Sequence, residues 1–118
     1  MTRQEMEERL VDFVAAVTKL VVTENKNMSI HHLNDQAIRS STSCALNYGE
    51  AQSAVSRKDF LHKTGIVLKE LRETYINLKI IKKLNGDSND LEFNALLKEA
   101  DELTAIFYKT ILTARKKA

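Results

Sequence analysis

The stretch Phe60-Leu61-His62-Lys63-Thr64-Gly65-Ile66-Val67-Leu68-Lys69-Glu70-Leu71-Arg72-Glu73-Thr74-Tyr75-Ile76-Asn77-Leu78 decides the fold. Leu61, Thr64, Leu68, Leu71, Tyr75 and Leu78 advance by alternating steps of three and four, with Phe60, Val67 and Ile81 beside them. That rhythm keeps one face of a helix apolar, and it is the period of helices packed near-antiparallel at about 20°. The same rhythm runs through Met6, Leu10, Phe13, Val17, Leu20 and Val21, and through Phe93, Leu96, Leu97, Ala100, Leu103, Phe107, Ile111 and Ala114.

Start and stop signals divide the chain between these stripes. Thr2 with Glu5 reads as a capping box, the hydroxyl accepting a helix-start amide while the carboxylate reaches back. Ser29 is placed to cap a helix opening at Ile30, Ser56 with Asp59 approximates the box, and Asn89 with Glu92 is a fourth. Stops fall at Asn25-Lys26-Asn27, near Ala54-Val55, and at Asn85-Gly86, where glycine can adopt the left-handed conformation that ends a helix. These signals predict helices over about 3–24, 30–54, 57–84 and 90–116. Short connections force neighbours to run antiparallel, so the expected fold is all-α, one up-down-up-down four-helix-bundle domain over residues 1–118.

Composition agrees. With 118 residues, no proline and three glycines, the chain suits one core and not a turn-rich β architecture. No apolar run approaches the roughly 18 residues of a membrane span, so no membrane association is expected. The charged opening, Met1 to Glu8, lacks a signal core, and the single Cys44 cannot form an internal disulfide; both predict a cytoplasmic protein.

The second helix differs from the others. Its stripe, Ile30, Leu33, Ala37, Ser41, Cys44, Ala45, Tyr48, Ala51 and Val55, is mostly small. Small side chains bury little area but let backbones approach. Gly49 and Gly65 cost about 1 kcal/mol each inside a helix, and both fall where the second and third helices converge. Two readings remain open: tight packing within one chain, or a subunit interface along the second helix. A hairpin turning between Val55 and Ser56 sets Arg39 opposite Arg72, with Glu70 and Glu73 in reach, and Glu50 opposite Leu61 near Lys58.

Catalytic and metal constellations are not legible. A di-metal bundle needs two Glu-x-x-His motifs, whereas this chain offers one Asp59-x-x-His62, and His31 and His32 point about 100° apart on a helix. Cys44 sits mid-helix among small residues, where a thiol is an inert hydrophobe. Ser40, Ser41 and Ser43 have no histidine one turn away, and the glycines form no phosphate loop. No metal, cofactor or catalytic residue is predicted, and no enzyme. Eighteen basic against sixteen acidic residues leave a net charge of +2. That is short of a dedicated nucleic-acid binder, so any footprint lies in distribution. The expected topology gathers Arg3, Arg57, Lys58, Lys63, Arg115, Lys116 and Lys117 at one end, opposite Lys79, Lys82 and Lys83. They read either as helix-end charges complementing the macrodipole or as a phosphate-contacting rim. The aromatic residues Phe13, Phe60, Phe93, Phe107, Tyr48 and Tyr75 fall mostly in core stripes, leaving no evident base-stacking platform.

Residues 39–54, Arg39-Ser-Ser-Thr-Ser43-Cys-Ala-Leu-Asn47-Tyr-Gly-Glu50-Ala-Gln-Ser-Ala54, carry a further pattern. It continues through Ser56-Arg57-Lys58-Asp59-Phe60 and Lys69-Glu70-Leu71-Arg72-Glu73-Thr74. Over roughly residues 36–80 the chain resembles the 23S rRNA-intervening-sequence proteins, the S23-type four-helix bundles. It departs from them in having no tryptophan in the first helix and in carrying Asn77 where an aromatic is common. The resemblance implies a non-catalytic bacterial bundle that assembles as a ring-like homopentamer. A related branch of the family partners a reverse transcriptase and nucleic acid. Arg39, Ser43, Asn47, Glu50, Asp59, Phe60, Glu70 and Glu73 match the motif, and their periodicity suits structural and inter-subunit contacts. The expected function is a homo-oligomeric scaffold associating with RNA or ribonucleoprotein; the alternative is a protein–protein adaptor without nucleic-acid contact. Steep weakening by salt would mark the first.

Overall fold

A computed structural model describes residues 1–23, 28–86 and 89–117. Four helices follow in order: α1 Arg3–Thr23, α2 Met28–Gln52, α3 Arg57–Leu84 and α4 Asp90–Lys116. Side-chain ties between successive helices run antiparallel. Asn34 meets Val21, Arg39 meets Glu70, Glu50 meets Lys63, and Lys82 meets Asn94. Arg9 closes the circle by reaching α4. The result is an up-down-up-down four-helix bundle, 47 × 22 × 21 Å, its length close to the roughly 42 Å of a 28-residue helix.

Local chemistry sets the helix ends. Thr2 and Glu5 form the expected reciprocal box, with Glu5 N–H donating to Thr2 Oγ1 at 3.1 Å and Thr2 N–H donating to Glu5 Oε2 at 3.3 Å. Ser56 caps α3, its Oγ accepting from Asp59 N–H at 3.0 Å. Gly86 has a φ of +66°, the left-handed stop expected after Asn85. Two ends differ from expectation. Asn89 holds the N-cap position of α4 with a left-handed φ of 57° and makes no side-chain cap bond. α2 begins at Met28, so Ser29 lies inside its first turn, and it ends at Gln52, where tightened bonds from Ser53 N–H and Ala54 N–H close it. The stop at Asn25-Lys26-Asn27 lies outside the described residues.

The three large-residue stripes make the core. Leu10, Val17, Val21, Val67, Leu71, Leu78, Ile81, Phe93 and Leu103 are fully buried, with Phe13 and Phe107 nearly so. α2 contributes small groups, Ala37, Ser40, Ser41 and Cys44, all fully buried, and shares its most extensive interface with α3. Its small-residue face is therefore consumed inside the single chain and is not free to serve as a subunit interface. Val55, expected at the end of that stripe, is instead fully out in solvent.

The α1–α4 seam is the thinnest, and a charge-assisted clamp spans it. Arg9 Nε and Nη2 donate to the two oxygens of Glu99 at 2.8 and 2.7 Å, and Nη2 also donates to Glu102 at 3.0 Å. Hydrogen bonding to Glu99 is the main reason the guanidinium pKa is raised further. Bidentate geometry makes this a stronger tie than an ordinary surface pair.

Gly49 and Gly65 are not points of close approach. A Cβ built on either meets nothing within 4 Å, so the convergence of α2 and α3 rests on alanine, serine and cysteine. Their cost in helix propensity is then uncompensated by contacts within the chain. Gly49→Ala and Gly65→Ala should each raise stability by about 0.5–1 kcal/mol in denaturant melts. A loss at either position would mean a close neighbour covers that glycine.

Candidate functional site

Two groupings collect the residues singled out from the sequence. The first is the α2–α3 seam. Arg39 Nη1 donates to Glu70 Oε2 at 3.3 Å and Nη2 donates to Glu73 Oε2 at 3.2 Å. Glu70 is buried while the Arg39 side chain is 59% exposed, so the pair is screened on one side only. Glu50 Oε1 accepts from Lys63 Nζ at 3.0 Å, not from Lys58 as the simple hairpin count implied. Asn47 Nδ2 donates to the Ser43 carbonyl and hydroxyl, both at 3.0 Å, a link within α2. Asp59 supplies only its amide to the Ser56 cap. These motif residues thus tie one helix to the next, brace a helix end or, for Asn47 and Ser43, link successive turns of α2.

Between these pairs lies a polar layer that periodicity did not reveal. Ser40 Oγ and Thr74 Oγ1 share a 2.6 Å hydrogen bond, both residues fully buried, and Thr74 Oγ1 also donates to the Glu70 carbonyl at 2.9 Å. Cys44 Sγ donates to the Ser40 carbonyl at 3.3 Å and faces the Val67 carbonyl at 3.7 Å. Burial pushes its thiol pKa up to about 12, the Glu70 charge adding to the effect, which makes it an inert interior group.

The second grouping is the bundle end where α1 starts, α2 passes to α3, and α4 finishes. A cleft of about 770 Å³ opens there, lined by Arg3, Ala51, Gln52, Ala54, Ser56, Arg57, Phe60, Ile106, Lys109, Thr110, Thr113, Ala114 and Lys117. Four cations line it and no carboxylate does. Of the expected rim, Arg3, Arg57 and Lys117 line the cleft. Lys58, Arg115 and Lys116 are exposed nearby without lining it, and Lys63 is tied to Glu50. Lys109 was missed; its spacing of four to Thr113 and eight to Lys117 on one helical face was the available signal. No ion pair is made by Arg3, Arg57, Lys109 or Lys117 among the described residues.

Phe60 corrects a further expectation. It is half-buried, and it lines both this cleft and an adjoining cavity of about 490 Å³ shared with Tyr48 and Phe107. Tyr48 and Phe107 themselves meet edge-to-face at 5.7 Å. Among the described residues no three His, Cys, Asp or Glu side chains gather as a metal site, and no helix is long and apolar enough to cross a membrane.

The fold and these sites define a four-helix bundle with a polar inter-helix seam and a cationic end cleft. The model of the 23S rRNA-intervening sequence protein family matches residues 3–109, and the chain belongs to that family. Among solved structures, the bundle is similar to a 1.70 Å crystal structure of a protein of unknown function from the S23 ribosomal protein family of Bacteroides thetaiotaomicron. The TM-score is 0.82 at 23% identity, over 94% of this chain and 98% of that one. No curated protein matches the chain.

Glu70 provides a test of the seam. Burial, then the charge of Glu73, raises its carboxyl pKa above the ordinary 4.5, with Arg39 opposing. The folded state therefore holds this proton to higher pH than the unfolded state. Its contribution to stability is present below the ordinary value and is lost as pH rises through the raised one. Glu70→Gln keeps an acceptor for Arg39, so it should melt at or above the parent at neutral pH, the difference closing as pH falls below the ordinary 4.5. A variant less stable at neutral pH, with the deficit vanishing in acid, would show instead that the Glu70 charge stabilises the fold.

Proposed function

We propose that the chain is a non-catalytic, homo-oligomeric helical scaffold, cytoplasmic in location, that associates with RNA through the cationic end of its bundle. The observation that carries this reading is the end cleft, which four cations line and no carboxylate does. Unpaired cations around one cleft give it a positive potential, and a polyanion that meets them releases its own counterions. A homo-oligomer of cyclic symmetry would repeat the cleft around a ring, so that individually weak contacts combine. The resemblance to the 23S rRNA-intervening-sequence proteins implies the scaffold part of the reading, and the expected assembly is a homopentamer.

Since the small-residue face of α2 is spent in the core, self-association must use other surfaces. Ile76, Ile80 and Leu84 are exposed and lie four residues apart on one face of α3. That stripe equally favours the second reading, a protein–protein adaptor without nucleic-acid contact. A salt titration separates the two.

In gel-shift titrations with structured RNA, the parent chain should lose affinity with a log–log salt slope of roughly 3 for four phosphate contacts. Replacing Arg3, Arg57, Lys109 and Lys117 together by glutamine should abolish binding and slope. Replacing Lys58, Arg115 and Lys116 should weaken binding only modestly. Sedimentation should show every one of these proteins in the same assembly, heavier than the 13.4 kDa single chain. RNA binding that survives loss of the four cleft cations would refute the end-cleft reading, and a parent sedimenting as the single chain would refute the scaffold.

A further inference from the structure

We infer that the end cleft takes unpaired nucleotides of a single strand, a base seated in the apolar slot beside Phe60 while neighbouring phosphates meet Arg3, Arg57, Lys109 and Lys117. This rests on the RNA reading above and narrows it to a class of nucleic acid. Three features of the cleft point the same way.

The first is its composition. Besides the four cations and the polar Gln52, Ser56, Thr110 and Thr113, the cleft is lined by the apolar Ala51, Ala54, Phe60, Ile106 and Ala114. A duplex keeps its bases stacked inside and presents phosphate and sugar outward, so it would meet the cations and leave the apolar lining without a partner. An unpaired nucleotide brings both parts, a planar apolar base and a charged phosphate. At about 770 Å³ the cleft is within the roughly 300–1,000 Å³ of ordinary ligand sites, so it has room for such a unit.

The second is the spread of charge. Lys109 and Lys117 are eight residues apart on α4, about 12 Å along its axis, while Arg3 and Arg57 come from the starts of α1 and α3. A ligand with one anionic head, such as a carboxylate on an apolar tail, would neutralise one or two of these and strand the others. Successive phosphates along a strand can reach all four.

The third is Phe60 itself. It is half-buried and lines both the cleft and the adjoining cavity that Met6, Tyr48 and Phe107 also line, so its ring is reachable from the cleft. Stacking on such a ring needs only the face of a base and tolerates any sequence. Recognition by the cleft is therefore by strand state, with little preference among bases.

The test uses the full chain and a fluorescein-labelled RNA of mixed sequence, alone or annealed to its complement, in anisotropy titrations at one salt concentration. The parent should bind the single strand at least about tenfold tighter than the duplex. Phe60→Leu should lower single-strand affinity roughly 5- to 100-fold, leave duplex affinity alone, and keep the salt slope. Phe60→Trp should hold or improve single-strand binding, and it decides the matter together with the parent's strand preference if the leucine variant fails to fold. Equal binding of both forms by the parent, or single-strand affinity unchanged in Phe60→Leu, overturns this inference while leaving RNA association standing. No binding of either RNA by the parent overturns both.

Discussion

A buried, hydrogen-bonded polar layer between α2 and α3 is the constraint on which the rest of the bundle depends. Ser40 and Thr74 meet at 2.6 Å with no solvent access, flanked by Cys44 on α2 and Glu70 on α3. Apolar stripes alone specify a helix face but tolerate sliding, because one leucine replaces another in a groove at modest cost. A buried hydroxyl pair resists sliding, since the bond between Ser40 and Thr74 forms in one register only, each hydroxyl otherwise having just a carbonyl of its own helix. The other three helices supply the large side chains that drive burial, and α2 gives up that contribution in exchange for register.

The consequences run to the bundle end. With the register held, Glu50 sits against Lys63 and withdraws that lysine from the rim. Arg57 is left to face the cleft with Arg3, Lys109 and Lys117, which approach from two other helices. On the far side, α1 and α4 touch least and are held by Arg9 against Glu99 and Glu102. The molecule is thus tight along α2–α3 and looser along α1–α4. At the end opposite the cleft, the Asn34 side chain caps the Val21 carbonyl at 3.1 Å and keeps the exit of α1 joined to the entry of α2.

Helix positions and topology were readable because they follow from periodicity and caps, which are local. Every stripe residue of α1 from Met6 to Val21 is buried, and Thr2–Glu5, Ser56 and Gly86 act as their chemistry requires. The Arg39 pairing with Glu70 and Glu73 was also within reach of hairpin counting. What escaped depended on three-dimensional context. Asn34, Ser40, Glu70 and Thr74 are buried polar residues, and no period distinguishes a polar side chain with an interior partner from one facing water. The two helical glycines suggested a close approach that the small side chains of α2 provide instead. Lys109 lies about two turns before the basic C-terminal cluster, and only its shared helical face with Thr113 and Lys117 linked it to the cleft they line. Phe60 followed a core stripe and turned out to border a cavity, because the bundle end leaves that part of the stripe uncovered.

The most direct test of the register claim is a double-mutant cycle across the polar layer. Unfolding free energies would be measured for Ser40→Ala, Thr74→Val and the pair of changes together. The account predicts a coupling of about 1 kcal/mol or more, with the double variant less destabilised than the single losses added together, because either single change already removes the one bond between the hydroxyls. Additivity within about 0.3 kcal/mol would contradict it, showing that the hydroxyls do not act together and that apolar packing alone holds α2 in register on α3.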